Sequence, residues 1–289
     1  MKNTIDSGAL CAAIMPAIGR IGHEIWLKSG DASSLQVSEK SAGDIATQID
    51  CWAQQQLSIV LLQALPGSLF LGEETARQDV AQQVASRQAA GDQTCNTPTW
   101  IVDPIDGTAN FVRGYPQWCV SVGLIVGGEP VLGVIHDPNR EESFYAVRGQ
   151  GAWLQSRRGL QRLLCSQTSE LIQATVCTVF PKPRSALVPQ YLQEFKRILP
   201  QVAQLRRSGS MALELAYIAA GRADALWERG MGAWDIAAAW VILQEAGAQV
   251  VALDGHSVLQ SQFLMAGAPT ILSKLQPLLT SAGHENGNF

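Results

Sequence analysis

Residues 100–111 read Trp100-Ile101-Val102-Asp103-Pro104-Ile105-Asp106-Gly107-Thr108-Ala109-Asn110-Phe111. The apolar run Trp100-Ile101-Val102 is a buried strand by composition, and it delivers Asp103 to the strand's end. Pro104 lacks the N–H a central strand needs, so the strand is expected to stop there, and Gly107 permits a sharp turn with exposed N–H groups. Two carboxylates, Asp103 and Asp106, are thereby held on one turn. The same residues also fit an ordinary loop in which each Asp bonds its own backbone.

Downstream, short β-rich runs over residues 119–126, 131–136 and 144–147 are separated by Gly127-Gly128 and Asn139-Arg140, the pattern of an antiparallel meander. Beyond residue 160 the rhythm alternates. Strand-like stretches at 175–180, 223–228, 250–253 and 263–266 are interleaved with helical ones at 191–199, 210–220, 236–246 and 269–279. This divides the chain into an α+β domain over residues 1–160 with an antiparallel sheet, and an α/β domain over residues 161–289. Upstream, Leu10, Ile14, Ile18, Ile21 and Ile25 recur at helical spacing, so the first apolar run reads as an amphipathic helix rather than a signal peptide. Residues 29–41 read as a polar loop, 49–65 as a second helix, 78–98 as a surface excursion and 284–289 as a frayed tail.

The 289 residues, 47% of them hydrophobic, suffice for a full core and exclude disorder as the main state. With a formal charge of −4 and Lys and Arg scattered, no continuous basic face exists for direct nucleic-acid binding. No apolar run reaches the ~18 residues of a membrane span. The six Cys stand far apart without a Cys-x-x-Cys pair and read as reduced, mostly buried thiols of a cytoplasmic protein.

Other carboxylates stand at comparable places. Gly72-Glu73-Glu74 follows the apolar run Leu69-Phe70-Leu71, and Trp234-Asp235 stands directly before the helix read from Ile236. Each also has a plain structural reading, Asp235 as a helix N-cap and Glu73-Glu74 as a solvated loop edge. The four His (His23, His136, His256 and His284) form no metal-binding cluster and no Gly-x-Ser-x-Gly elbow occurs, which argues against a hydrolase triad. His136, in a strand-like run, reads as structural.

In order and spacing, Gly-Glu-Glu at 72–74, the segment 100–111, and Trp-Asp-Ile-Ala-Ala at 234–238 leading to Glu245-Ala246-Gly247 resemble the inositol monophosphatases. The resemblance runs from Asp44 to about Pro269. It implies a layered α-β-α-β-α sandwich and a Mg²⁺-dependent, lithium-sensitive phosphomonoesterase for a small polyol or sugar phosphate, foremost inositol 1-phosphate. It also implies a homodimer. Glu73, Asp103 and the Ile105 carbonyl are implied ligands of one Mg²⁺, and Asp103, Asp106 and Asp235 of a second, with two or three ions per site and Mn²⁺ as substitute. An acidic set without His or Cys agrees, being a hard-oxygen site.

Glu73 is implied to orient or deprotonate the attacking water, assisted by Thr108 paired with Asp50; by itself Asp50 reads as a helix-start residue. Gly107 and Thr108 are the implied phosphate cradle beside Asp106, and Gly209, Ser210, Met211 and Glu228 the contacts to the polyol. Met211 replaces a usual Ala, Ala239-Trp240 stands where Gly and a smaller or polar residue are common, and Ala248 ends what is usually Glu-Ala-Gly-Gly. These departures bear on the leaving-group pocket. Rival substrates are histidinol phosphate, fructose 1,6-bisphosphate and 3′-phosphonucleotides, although Asp-Gly-Thr-Ala-Asn-Phe resembles the inositol branch. The rival outside enzymes is a regulatory scaffold that binds the transcription machinery; intact ligand residues make such a role additional to catalysis.

Overall fold

The computed structural model describes residues 5–30, 37–41, 44–75 and 96–280. The readings of residues 78–95 and 284–289, and Cys95 with them, lie outside the described residues. Helix α1 (Ser7–Trp26) is capped by Asp6, whose Oδ1 accepts the Ala9 N–H at 3.0 Å, and Leu10, Ile14, Ile18, Ile21 and Ile25 are buried as their spacing predicts. The stretch read as a loop to residue 41 ends instead in a strand. β1 (Val37–Ser41) pairs antiparallel with β2 (Asp44–Thr47), a two-stranded ribbon held by its backbone ladder, for which no apolar alternation was there to be read. β2 runs straight into α2 (Gln48–Ala64). Thr47 and Asp50 close that junction reciprocally: Asp50 accepts the Thr47 N–H at 2.7 Å, and the Thr47 hydroxyl accepts the Asp50 N–H at 3.4 Å as well as the Ile49 N–H at 3.1 Å.

Seven strands lie side by side in chain order: β3 (Leu69–Gly72), β4 (Thr99–Asp106), β5 (Cys119–Val126), β6 (Glu129–Asp137), β7 (Glu142–Val147), β8 (Ala152–Ser156) and β9 (Gly159–Arg162). β3 and β4 are parallel and the rest form the expected antiparallel meander. The meander is two strands longer than its sequence signal, by β8 and β9; β9 is exposed throughout and carries no burial pattern, and β8 offers only two buried positions, Ala152 and Leu154. β4 does not stop at Pro104 as expected. It continues to Asp106, and the ladder to β5 shifts register between Asp103 and Asp106, so Pro104 sits in a bulge where its missing N–H costs no ladder bond. A short helix α3 (Thr108–Val112) follows, with Gly107 left-handed at φ 98°.

The second sheet is ordered β11 (Gln204–Arg206), β10 (Thr175–Thr178), β12 (Ala225–Arg229), β14 (Phe263–Gly267), β13 (Gln249–Ala252). β10 is parallel to β11 and β12, whereas β14 runs antiparallel to β12 and β13. α1 and α2 cover the free face of the first sheet, where Leu57 and Leu61 join Trp100, Val102, Val120 and Val122. α5 (Met211–Ala219) and α6 (Ala233–Glu245) pack between the sheets, while α4 (Val188–Ile198) and α7 (Pro269–Thr280) close the far side of the second. The architecture is the layered α-β-α-β-α sandwich. No helix among the described residues is long and apolar enough to cross a membrane.

The register of α6 positions the site. Every residue from Ile236 to Leu243 is buried, as a helix pressed between two sheets requires. Gly123 and Gly133 are paired across β5 and β6, and a Cβ at either would collide with the Ala237–Ala238 backbone of α6. The helix thus lies directly on the sheet, its first turn beside the end of β4. It begins at Ala233, earlier than read, so Asp235 is not the N-cap. Asp235 lies inside the first turn and reaches back to accept the Gly232 N–H at 2.7 Å.

Candidate active site

A cavity of about 540 Å³ is lined by Glu73 after β3, by Asp103, Ile105 and Asp106 of β4, by Gly107 and Thr108, and by Gly209, Glu228 and Asp235. Asp103, Asp106 and Asp235 can each offer an oxygen such that all lie within 4.8 Å of one another. Glu73 lines the same cavity outside that tightest set. Asp103 Oδ1 accepts the Ile105 N–H at 2.9 Å, fixing the carboxylate at the bulge. Asp106 is held at the start of α5: its Oδ2 accepts from the Ser210 hydroxyl at 2.6 Å and the Ala212 N–H at 2.7 Å, its Oδ1 from the Met211 N–H at 3.3 Å. The Thr108 hydroxyl lies 3.2 Å from Asp50 Oδ1 and 3.0 Å from the Ile105 carbonyl.

Burial pushes the Asp103 carboxyl well above the usual range, and the charges of Glu73, Asp106, Asp235 and Asp50 push it further. Asp235 is raised by burial and then by Asp106; Asp106 is raised by burial against the opposing bonds from Ser210 and α5. Glu228 is raised by burial, then by Asp235 and Asp106, and its Oε2 has no hydrogen-bond partner among the described residues. Buried carboxylates that crowd and repel one another, raised in spite of the N–H and hydroxyl donors they do have, are a site for a cation. Oxygen ligands alone select a hard divalent one.

The sequence model of the inositol monophosphatase family matches residues 10–287. The chain belongs to the inositol monophosphatase family. It is therefore a phosphatase of the phosphoric monoester class, in a metal-dependent family. Among its relatives, an inositol-1-monophosphatase of Caulobacter vibrioides is 36% identical over 254 residues, covering 86% of this chain and 93% of that protein. The Nus factor SuhB of Pasteurella multocida is 36% identical over 251 residues, covering 85% and 88%. The structure of the extragenic suppressor protein SuhB from Bartonella henselae superposes with a TM-score of 0.83 at 32% identity, over 95% of this chain and 100% of that one.

Within this member of the family, the cavity collects Glu73, Asp103, Ile105, Asp106, Gly107, Thr108, Gly209, Glu228 and Asp235, all singled out from sequence. Ser210 and Met211 are placed differently. Both are buried and neither lines the cavity; the Ser210 hydroxyl and the Met211 N–H are turned onto Asp106 instead. Asp50 has both of its readings at once, helix start and partner of Thr108. Sequence reading passed over Phe180, Lys182 and Ser185, which also line the cavity just beyond β10. The available signal was position, since the C-terminal end of a parallel strand is where α/β sheets bind ligands.

One buried acid holds the loop before α5. Glu214 Oε1 accepts the Ser208 N–H at 2.6 Å, and the Ser208 carbonyl accepts from Asn110 Nδ2 at 2.8 Å, tying the loop to α3. Burial raises the Glu214 pKa to about 7 from the ordinary 4.5. The folded chain keeps this proton in a range where the unfolded chain has released it, so the stability this one group contributes falls as pH rises from about 4.5 to about 7 and is level above. At ~1.4 kcal/mol per unit the loss is on the order of 3 kcal/mol. Glu214→Gln keeps an acceptor for Ser208 and cannot titrate. Its melting temperature in chelator is expected to exceed the parent's by a margin that grows from pH 5 to pH 8; a margin independent of pH would refute this account.

Proposed function

We propose that this phosphatase hydrolyses inositol 1-phosphate, or a closely similar small polyol phosphate, with Mg²⁺. The observation that carries the reading is the convergence in one cavity of the Asp103, Asp106 and Asp235 cluster with Glu228 and with Thr108, whose hydroxyl is backed by the buried Asp50. In this reading Glu73, Asp103 and the Ile105 carbonyl hold one Mg²⁺, and Asp103, Asp106 and Asp235 a second, with Mn²⁺ as substitute. Bound there, the cations would offset the phosphate's charge and ease deprotonation of water. The chain's own groups do the rest. Glu73 takes the water's proton, the Thr108 hydroxyl orients the water, and the N–H groups of Gly107 and Thr108 face the phosphate at a left-handed glycine. The domain division near residue 160, a cytoplasmic location and a homodimer complete the proposal. The Nus factor designation of the Pasteurella relative supports a regulatory role beside catalysis, not in place of it.

Glu228 stands near the end of β12, where its carboxyl oxygens can accept from the vicinal hydroxyl donors of a polyol and have nothing to accept from an aryl group. Losing such contacts costs ~1–3 kcal/mol, roughly ten- to a hundredfold in kcat/KM. Glu228→Ala is expected to lose that factor on inositol 1-phosphate and little on p-nitrophenyl phosphate. Both substrates use the same metals and water, so equal losses would remove Glu228 from the polyol pocket.

A further inference from the structure

α2 carries Asp50 in its first turn and Gln54 one turn later on the same face. Asp50 reaches Thr108 after β4; Gln54 reaches the turn after β3. Gln54 is 7% exposed, its Oε1 accepts the Glu74 N–H at 2.9 Å, and its Nε2 lies 3.4 Å from Thr75 Oγ1. The Thr75 N–H and hydroxyl return to the Gly72 carbonyl at 3.1 and 3.2 Å. On the other side, the Glu73 N–H donates to the Val102 carbonyl of β4 at 3.0 Å. The backbone flanking Glu73 is therefore fixed twice, by the sheet before it and by Gln54 after it.

The glycine at 72 fits the same device. Gly72 is absent from the left-handed glycines, so its backbone conformation suits any residue. A Cβ there would overlap the Gln54 side chain from its Cγ to its amide oxygen. Position 72 is glycine because Gln54 lies flat across it, and any larger residue would push Gln54 off the Glu74 N–H.

We propose that Gln54 is a positioning residue of the metal site: its amide clamps the turn that presents Glu73, and Gly72 is the space in which it does so. This rests on the reading of Glu73 as a metal ligand. Gln54 need touch neither cation nor substrate, because aiming the Glu73 carboxylate is enough. Groups that orient metal ligands commonly change metal affinity by ~10–100-fold.

The test is calorimetric titration of the metal-free chain with Mn²⁺, alongside its melting temperature in chelator. Gln54→Leu fills the same space without the hydrogen bonds and is expected to weaken Mn²⁺ binding by about tenfold. Gln54→Glu keeps an oxygen for the Glu74 N–H and is expected to bind at least as tightly as the parent. Gly72→Ala should weaken binding in the parent but add little in a Gln54→Ala background, a non-additivity expected only if the two positions act through one contact. A merely structural Gln54 would lower the melting temperature and leave affinity within twofold, which overturns the proposal, as would additive effects of Gly72→Ala and Gln54→Ala. If Gln54→Leu does not fold, the Gln54→Glu and Gly72→Ala arms decide. No Mn²⁺ binding by the unsubstituted chain would overturn the metal-site reading and this inference with it.

Discussion

Asp103→Asn is expected to lower kcat/KM for inositol 1-phosphate by about a thousandfold, ~4 kcal/mol, while raising the melting temperature of the metal-free protein. The two signs have one cause. Asp103 is buried at the bulge of β4, among Glu73, Asp106, Asp235 and Asp50, each of whose charges opposes its ionisation. Without a cation that charge is a burden on the fold, and an amide of the same shape removes it while its Oδ1 still accepts the Ile105 N–H. With cations the charge is what binds them, and Asp103 is the side chain proposed to serve both positions. Its loss weakens both together. Mg²⁺ dependence of turnover and melting in chelator measure the two effects separately. Full turnover by Asp103→Asn, or by the parent in excess chelator, would falsify the two-metal reading.

What was legible in the sequence was what repeats or clusters locally. The helical spacing of α1, the meander strands and the acidic strand ends each carry their signal within a dozen residues, while α6, apolar all round from Ile236 to Leu243, is legible only as an unbroken apolar run too long for a strand. Contacts made by folding were not legible. Nothing near Ser210 says that its hydroxyl turns to Asp106, 104 positions away, nor does Gly72 announce Gln54. The bulge at Pro104 was hidden because the rule that proline ends a central strand has its exception where a ladder skips a residue. His136 followed its plain reading: it is buried, its Nδ1 lies 2.9 Å from the Ser143 hydroxyl, and burial lowers its pKa to about 4, so it stays neutral. Of the described cysteines, Cys11, Cys119, Cys165 and Cys177 are buried as expected, whereas Cys51 is exposed on α2.

Thr108→Val is expected to lower kcat on the order of 10²–10³-fold with little change in KM or Mg²⁺ affinity. The Thr108 hydroxyl has one proton and two acceptors near it, Asp50 Oδ1 at 3.2 Å and the Ile105 carbonyl at 3.0 Å. Neither acceptor can donate, so the proton is committed inward whichever one takes it. The oxygen's lone pairs are left for the cavity. A water placed there must donate to Thr108, which turns the water's own lone pair away from it and toward a bound phosphate. Asp50 is held still for this task, since its Oδ2 accepts the Thr47 N–H at 2.7 Å and the Thr47 hydroxyl at 2.6 Å. Asp50→Asn would offer Thr108 an N–H in place of an acceptor and occupy the lone pair meant for water, so it should also slow turnover. The two residues act on one water as a unit, and the double variant is expected to lose no more than Thr108→Val alone. Losses that multiply would show two independent roles. A Thr108→Val enzyme with unchanged kcat, or with its whole deficit in KM, would take the hydroxyl out of the chemistry.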